Sequence, residues 1–461
     1  MSKNRKISDA KIEDMTNLGA GVARDTDGRV IFVKNAVSGD VCDISIIKDT
    51  AAYSVAIPES FTARSPYRCD ADCDVFKSCG GCVFRHVSYE LEKEIKERYV
   101  KNVFKKIASI DIEPEPVVTF SADRYRNNVR FPLGKDKDGR IVAGFYSESS
   151  HRLVKVEKCL AQKECFDSVL KETVSVLNEM GFSVYDENRG EGYLRYLCLR
   201  CNRDDDVSVC VVVNAAHADE KLGKAAEMIS EIENVCGVYA NFNTKKTNVI
   251  FGESTETMCE KKPLYETICG KKFLVSPRSF FQVNTETAEM LYNKASEYLG
   301  CAGGGVFADL YCGTGTIGIC IASERSALYG CDIIPEAIEN AKQNALDNGV
   351  NRFRYDCADA SGGIKACTEE FGRIDSLIVD PPRKGMSPET VRAVIESGVG
   401  RFIYISCNPD TLARDVCEFM KAGYAVKNSA LYDLFPRTSH VECVVLMSRE
   451  QLVSVINKEH N

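Results

Sequence analysis

Val306-Phe307-Ala308-Asp309-Leu310-Tyr311-Cys312-Gly313-Thr314-Gly315-Thr316-Ile317-Gly318 decides the fold of this 461-residue chain. Apolar, β-favouring residues run into a glycine-rich turn, and the turn leads into a helical pattern. Glycines at that point let the backbone approach a nucleotide closely. The next apolar run, Ala327-Leu328-Tyr329-Gly330-Cys331, ends on Asp332, about 20 residues on, where an acid can accept both hydroxyls of a ribose. This pairing fits a dinucleotide or S-adenosylmethionine equally well. From about residue 301 onward strands and helices alternate, the signature of a doubly wound α/β sheet.

Farther along that sheet the chemistry becomes more specific. Ile374-Asp375-Ser376-Leu377-Ile378-Val379-Asp380 reads as the fourth strand and is followed by Pro381-Pro382-Arg383-Lys384-Gly385. An acid and two rigid prolines at a strand end make a fixed wall beside a planar ring, with Arg383 and Lys384 free for phosphate. The fifth strand, Phe402-Ile403-Tyr404-Ile405, breaks at Ser406-Cys407-Asn408-Pro409 and hands one thiol to a loop facing the ligand crevice. A cysteine there serves as a nucleophile once nearby charge or hydrogen bonds favour its thiolate. The last unit, Asp433-Leu434-Phe435-Pro436-Arg437-Thr438-Ser439-His440-Val441-Glu442, places Glu442 at the start of the final strand.

The composition is that of an ordinary globular protein, with 44% hydrophobic and 27% charged residues. No apolar run is long enough to span a bilayer, and the Met-Ser-Lys-Asn-Arg-Lys start lacks a signal-peptide core, so a cytoplasmic protein is expected. A net charge of −8 does not announce a nucleic-acid binder, so any basic surface for RNA must be local. The 22 cysteines are expected to be reduced thiols, with tight clusters holding metal. Cys73, Cys79 and Cys82 form such a cluster, in C-x5-C-x2-C spacing around Gly80-Gly81. Cys159 is the favoured fourth ligand, with Cys69 as a spare. Three-plus-one cysteines suit a [4Fe-4S] cluster, and structural zinc accepts the same four sulfurs.

Residues 1–60 show short apolar runs separated by Gly and Asp breaks, the pattern of a small OB-type β-barrel. The mixed Lys and Glu of Tyr89–Arg98 read as the solvated face of a helix. Tyr125-Arg126-Asn127-Asn128-Val129-Arg130-Phe131-Pro132 interleaves aromatics with cations, as either an RNA-stacking surface or a sheet edge does. Arg195 reads equally as structural or phosphate-binding. Ser276–Asn284 marks a loop ahead of a helix at about 285–299, with Gln282 beside two aromatics.

Gly-Ala-Gly-Val-Ala at 19–23 followed by Val-Ile-Phe-Val-Lys at 30–34 resembles the TRAM domain of RNA-modifying enzymes. Asp-Leu-Tyr-Cys-Gly at 309–313, Asp-Pro-Pro-Arg-Lys-Gly at 380–385, Ser-Cys-Asn-Pro at 406–409 and His-Val-Glu at 440–442 together resemble the RNA (uracil-5-)-methyltransferase family. Nearly the whole chain is covered, and the TRAM-like start and cluster cysteines are more similar to the 23S ribosomal RNA enzymes than to the bacterial tRNA enzyme. The resemblance implies three domains: a TRAM-like barrel at 1–60, a central α+β RNA-binding domain with an iron-sulfur cluster at 61–270, and a Rossmann-like S-adenosylmethionine-dependent methyltransferase domain at 271–461. It implies that the Cys407 thiolate adds to uracil C6, that C5 then takes the methyl group, and that Glu442 removes the C5 proton. Gln282, Tyr311, Asp332 and Asp380 are implied to contact the cofactor or position the uracil, and Asp359 to lie near the adenine. Asp332 stands where the family usually has Glu. The expected partner is RNA, most of all 23S rRNA, and the expected state is a monomer without membrane or obligate protein partner. The rivals are a tRNA uracil-5-methyltransferase, a base amino-group methyltransferase, in which Arg383 would occupy an aromatic's place, and a non-catalytic RNA-binding iron-sulfur protein.

Overall fold

The computed structural model describes residues 5–148, 150–300 and 304–449. Six strands come first: β1 (Lys6–Lys11), β2 (Asp14–Met15), β3 (Gly21–Arg24), β4 (Val30–Val33), β5 (Val41–Asp49) and β6 (Tyr53–Ala63). They form one sheet in the order β1-β5-β6-β4-β3-β2. β1 also meets β3 across the ribbon, so the sheet curls around Ile12, Ile31, Val33, Ile44 and Ala56. This is the small β module the Gly and Asp breaks predict.

Ser88 starts α1 (Tyr89–Val103) by accepting from the Leu91 N–H, and a π turn at Phe104–Ala108 ends it. After β7 (Glu115–Val118) come β8 (Asn128–Lys135), β9 (Ile141–Tyr146), β10 (Leu153–Lys155), α2 (Cys165–Glu179), β11 (Leu194–Cys201), β12 (Val207–Val213), α3 (Glu220–Ser230), β13 (Val235–Phe242) and β14 (Ser254–Glu260). These build a seven-stranded sheet in the order β10-β9-β8-β11-β12-β13-β14. Only β12 and β13 pair in parallel, joined through α3, and the continuous burial of β11, β12 and β13 explains their unbroken apolar runs. The hairpin of β15 (Tyr265–Ile268) and β16 (Lys271–Leu274) then leads to α4 (Thr285–Leu299), capped by Asn284 accepting from the Thr287 N–H at 3.2 Å.

The last sheet is built from β17 (Gly305–Leu310), α5 (Thr316–Ile321), β18 (Ser326–Asp332), α6 (Pro335–Asp347), β19 (Phe353–Cys357), α7 (Ala360–Phe371), β20 (Ser376–Val379), α8 (Pro388–Glu396), β21 (Arg401–Ser406), α9 (Pro409–Lys421), β22 (Tyr424–Tyr432) and β23 (Glu442–Arg449). Its order is β19-β18-β17-β20-β21-β23-β22-β7. β17 to β21 run parallel, with β23 antiparallel to both β21 and β22. Two apolar layers cover its faces, one from α1, α7, α8 and α9, the other from α4, α5 and α6. β7 falls within the stretch expected for the central domain, yet it pairs with β22 and completes the catalytic sheet. Val117 and the α1 residues Val100 and Val103 belong to that sheet's core. A single four-residue strand with one buried side chain carries too weak a sequence signal to reveal such a crossing.

One open reading resolves and another changes. Tyr125 and Phe131 are buried, and the Tyr125 hydroxyl donates to the Pro436 carbonyl at 3.1 Å, so the 125–132 stretch is a sheet strand and its lead-in, with aromatics turned inward. Glu92 (0% exposed) and Lys96 (1%) lie inside the protein instead of on a solvated face.

Candidate active site

The crevice lies at the carboxyl ends of β17, β18, β20 and β21, where strand register lines up the motif residues. Leu310 pairs with Cys331 and with Val379, so Tyr311, Asp332 and Asp380 emerge side by side. Ser406 pairs with Cys443, so Cys407 and Glu442 occupy the next rung of an antiparallel ladder, where facing side chains meet. Two residues separated by 35 positions thus face one another because one strand ends where its neighbour begins.

The glycine-rich turn is tight because its backbone takes left-handed conformations against close neighbours. Gly315 has φ +78°, and a Cβ there would stand 2.7 Å from the Tyr355 hydroxyl. Tyr311 is itself left-handed at φ 63°. The Asp332 carboxylate accepts the Gly313 N–H at 3.1 Å and the Ile334 N–H at 3.0 Å, which fixes the acid beside a glycine facing open space. Behind them Asp309 is fully buried, accepts the Gly318 N–H at 2.8 Å with one oxygen and has its other oxygen unpartnered. Burial lifts its pKa to about 8, so it is a neutral acid near pH 7. Gln282 bonds the hydroxyl of buried Tyr292, a group that also senses the charge of Asp380. Asp359 caps α7, accepting from the Gly362 N–H at 2.8 Å and the Ser361 hydroxyl at 2.6 Å.

Around the thiol, burial and the neighbouring acids Glu442 and Asp380 push Cys407 up to about 11, against the opposing charge and hydrogen bond of Arg383. Burial, with Asp380 beside it, raises Glu442 to about 8, again opposed by Arg383. Asp380 is raised by burial to about 7. Three acidic groups therefore share one desolvated pocket with a single guanidinium facing the thiol and Glu442. Arg383 is held from both ends. Its carbonyl accepts from the Asn408 side chain at 2.9 Å and the Thr411 hydroxyl at 3.2 Å, and its guanidinium lies 2.8 Å from His440 Nδ1. Burial and the adjacent Arg383 lower His440 to about 4, so the neutral ring accepts from that guanidinium. The sequence leaves Arg383 free for phosphate, whereas in the structure it acts on Cys407, because spacing does not show which way a side chain turns.

The segment ahead of Glu442 is gripped from the amino-terminal side. Lys96 Nζ donates to Glu92 Oε1 and Asp433 Oδ2, both at 2.7 Å, and the Tyr89 hydroxyl donates to Asp433 at 3.0 Å. The Arg437 N–H donates to Glu92 at 2.7 Å, while the Arg437 carbonyl accepts from Val83 at 2.8 Å and Phe84 at 3.2 Å. Those two residues directly follow Cys82.

Cys73, Cys79, Cys82 and Cys159 line one cavity of about 460 Å³, together with Arg85, Arg126, Phe280 and Thr438. Cys69 is exposed and stands outside that lining. The charges of the four thiols act on one another, with burial the main cause that raises Cys79, Cys82 and Cys159. Among the described residues, these sulfurs do not form a group lying within 4.8 Å of one another. Four thiols lining one cavity fit the donor set of an iron-sulfur cluster and of a structural zinc alike. Arg195 is structural: its guanidinium donates to the carbonyls of Asn243, Lys245 and Thr247 and sits 4.5 Å over the Tyr185 ring.

No helix among the described residues is long and apolar enough to cross a membrane. Comparison with known proteins agrees with the geometry. The profile of the tRNA (Uracil-5-)-methyltransferase family matches residues 88–450, and that of the TRAM domain matches residues 2–57. An uncharacterized RNA methyltransferase of Bacillus cereus (strain ATCC 10987 / NRS 248) is 36% identical over 97% of this chain and 98% of its own. One from Clostridium tetani (strain Massachusetts / E88) is 34% identical over 95% of each chain. The crystal structure of Pyrococcus abyssi tRNA (uracil-54, C5)-methyltransferase in complex with S-adenosyl-L-homocysteine superposes with a TM-score of 0.75 at 26% identity, covering 95% of this chain and 99% of that one. With a matching profile over most of its length and the motif residues gathered at one crevice, the chain belongs to the RNA (uracil-5-)-methyltransferase family and is an S-adenosylmethionine-dependent enzyme of that class.

Proposed function

We propose that the enzyme methylates C5 of a uridine in 23S rRNA through a covalent intermediate between Cys407 and uracil C6, with Glu442 as the base that removes the C5 proton. The observation that carries this reading is the placement of Cys407 and Glu442 on facing rungs beside Asp380. Uracil C5 is a poor nucleophile. Addition of the Cys407 Sγ to C6 turns the ring into an enolate whose C5 attacks the methyl carbon. S-adenosylmethionine would supply that electrophilic methyl when bound, its S–CH3 bond breaking to leave S-adenosylhomocysteine. Glu442 then takes the C5 proton, the C5=C6 bond re-forms and the C6–S bond breaks, returning the thiolate. A carboxylate with a pKa near 8 is matched to a proton transfer near neutrality.

Arg383 is the cation within reach of the thiol, and it offsets the opposition of two acids to thiolate formation. Asp332, with lone pairs left after its two backbone bonds, suits the ribose hydroxyls; Tyr311, Gln282 and Asp380 line the approach, and Asp359, exposed at the head of α7, suits the adenine edge. The target base reaches Cys407 only after leaving the RNA stack, as for other base-modifying enzymes.

Cys73, Cys79, Cys82 and Cys159 are the residues that would hold a [4Fe-4S] cluster, which would cross-link the 73–82 loop to the irregular stretch between β10 and α2. Anaerobically purified protein should be brown and carry about four irons per chain. A colourless protein with one zinc would refute that part alone.

The tRNA reading is favoured by a separate observation: the Pyrococcus abyssi tRNA enzyme aligns over 95% of this chain, including its amino-terminal part, so a TRAM-like module is compatible with either RNA. Mass mapping of 5-methyluridine in rRNA and tRNA, from cells with and without the gene, separates the two. Loss of the mark from 23S rRNA supports the proposal, and loss from tRNA alone overturns its substrate.

A further inference from the structure

A second group of metal-ligating side chains lies in the central domain, and none of its members lines the four-cysteine cavity. Cys165 is the first residue of α2, Cys201 is the last of β11, and Asp205 sits on the turn that carries β11 into β12. Their two sulfurs and a carboxylate oxygen all lie within 4.8 Å of one another, the one such group among the described residues. We propose that Cys165, Cys201 and Asp205 bind a thiophilic divalent cation, zinc above all, with the fourth position filled by water.

Donor chemistry and geometry both point this way. Two soft thiolates with one carboxylate suit zinc, a borderline-soft ion, and oxygen-seeking magnesium or calcium would not select the sulfurs. Cys165 begins a 15-residue helix, so its sulfur is fixed at the amino end of a rigid element. Cys201 is buried while Asp205 is exposed, so the ion has an apolar floor and an entry from solvent. Asp205 adopts φ 62°, and the turn is tied by the Asn202 side chain accepting from the Asp204 and Asp206 N–H groups at 3.0 and 2.9 Å. The nearby cation Lys163 is paired with Glu286 at 2.7 Å, which limits its repulsion of a metal.

The site would join three elements at the seam with the catalytic domain. The Cys201 N–H donates to the Asn127 carbonyl at 2.9 Å, and the Asn127 side chain donates to the Gln282 carbonyl at 3.0 Å and the Thr285 hydroxyl at 2.9 Å. An ion at Cys201 therefore stiffens the support of the loop that carries Gln282.

The test uses the reduced full-length protein with its iron measured alongside zinc. The expected result is one zinc per chain after incubation with zinc and gel filtration, a higher melting temperature, and unchanged iron. Cobalt in place of zinc should give thiolate charge-transfer absorption. Cys165→Ser should lose the zinc and the absorption, and Asp205→Asn, a surface change that leaves folding intact, should weaken zinc binding at least tenfold. Cys159→Ser should retain the zinc, which separates this site from the four-cysteine cavity. Absence of stoichiometric zinc, equal uptake by Cys165→Ser and Asp205→Asn, or recovery of Cys165 and Cys201 as a disulfide that takes up no zinc after reduction would overturn the proposal.

Discussion

At the scale of single residues, the pocket poses an electrostatic problem that Arg383 answers. Cys407 is pushed to about 11 by burial and two acids, so nearly all of it is protonated at neutral pH. Replacing Arg383 by Ala removes the opposing charge, so turnover at pH 7 should fall by roughly 10- to 1000-fold and the alkaline limb of the pH profile should move to higher pH. A pH profile of kcat checks this; an unchanged profile would leave Arg383 no part in activating the thiol. Glu442 makes a prediction of the opposite kind, on stability. Its pKa is near 8 folded and near 4.5 when exposed, so it favours the folded state fully below about pH 4.5 and progressively loses that contribution as pH rises through 8. Glu442→Gln should therefore melt with the wild type at pH 4 and above it at pH 9, while blocking release of product. Thermal melts at the two pH values decide it. The motif residues were legible because each motif is contiguous and ends a strand. Arg383 was not, because its partners Cys407, His440 and Glu442 come from other strands and loops.

At the scale of elements, α1 and the 433–440 segment are locked by a buried ion group. Glu92 and Lys96 are an i,i+4 pair, which in sequence looks like any solvated helix face. The difference is Asp433, 337 residues from Lys96 and beyond the reach of any local pattern. Lys96→Met would leave two buried carboxylates without their shared cation, Glu92 keeping Arg437 and Asp433 keeping only the Tyr89 hydroxyl among side chains, at a cost of about 3–5 kcal/mol. Lys96→Met combined with Glu92→Gln and Asp433→Asn should recover most of that loss. Denaturant titration measures both variants, and a single mutant as stable as the wild type would show the group to be inessential. β7 has the same lesson: its place beside β22 depends on α1 packing against α9, and nothing in Glu115–Val118 announces it.

At the scale of the whole molecule, a chain of net charge −8 must present its cations locally to hold RNA. Arg126, Arg130 and Lys158 line the cysteine cavity, and Lys384 is exposed beside the crevice. RNA affinity should fall with salt on a log–log plot with a slope of about −2 to −4. Filter binding at several salt concentrations checks this, and a slope near zero would place RNA recognition elsewhere. The order of three sheets followed the sequence because strand and helix periods differ plainly; their mutual contacts, through Asn127 to Gln282 and Arg437 to Val83, did not.

The account rests on a reversible bond between Cys407 and a pyrimidine carbon, and RNA bearing 5-fluorouridine at the target position tests it, because fluorine cannot leave as a proton does. With S-adenosylmethionine present, the account predicts a denaturation-resistant enzyme–RNA complex whose modified peptide contains Cys407 and which Cys407→Ala does not form. No such complex, from enzyme that methylates the unfluorinated RNA normally, would contradict it.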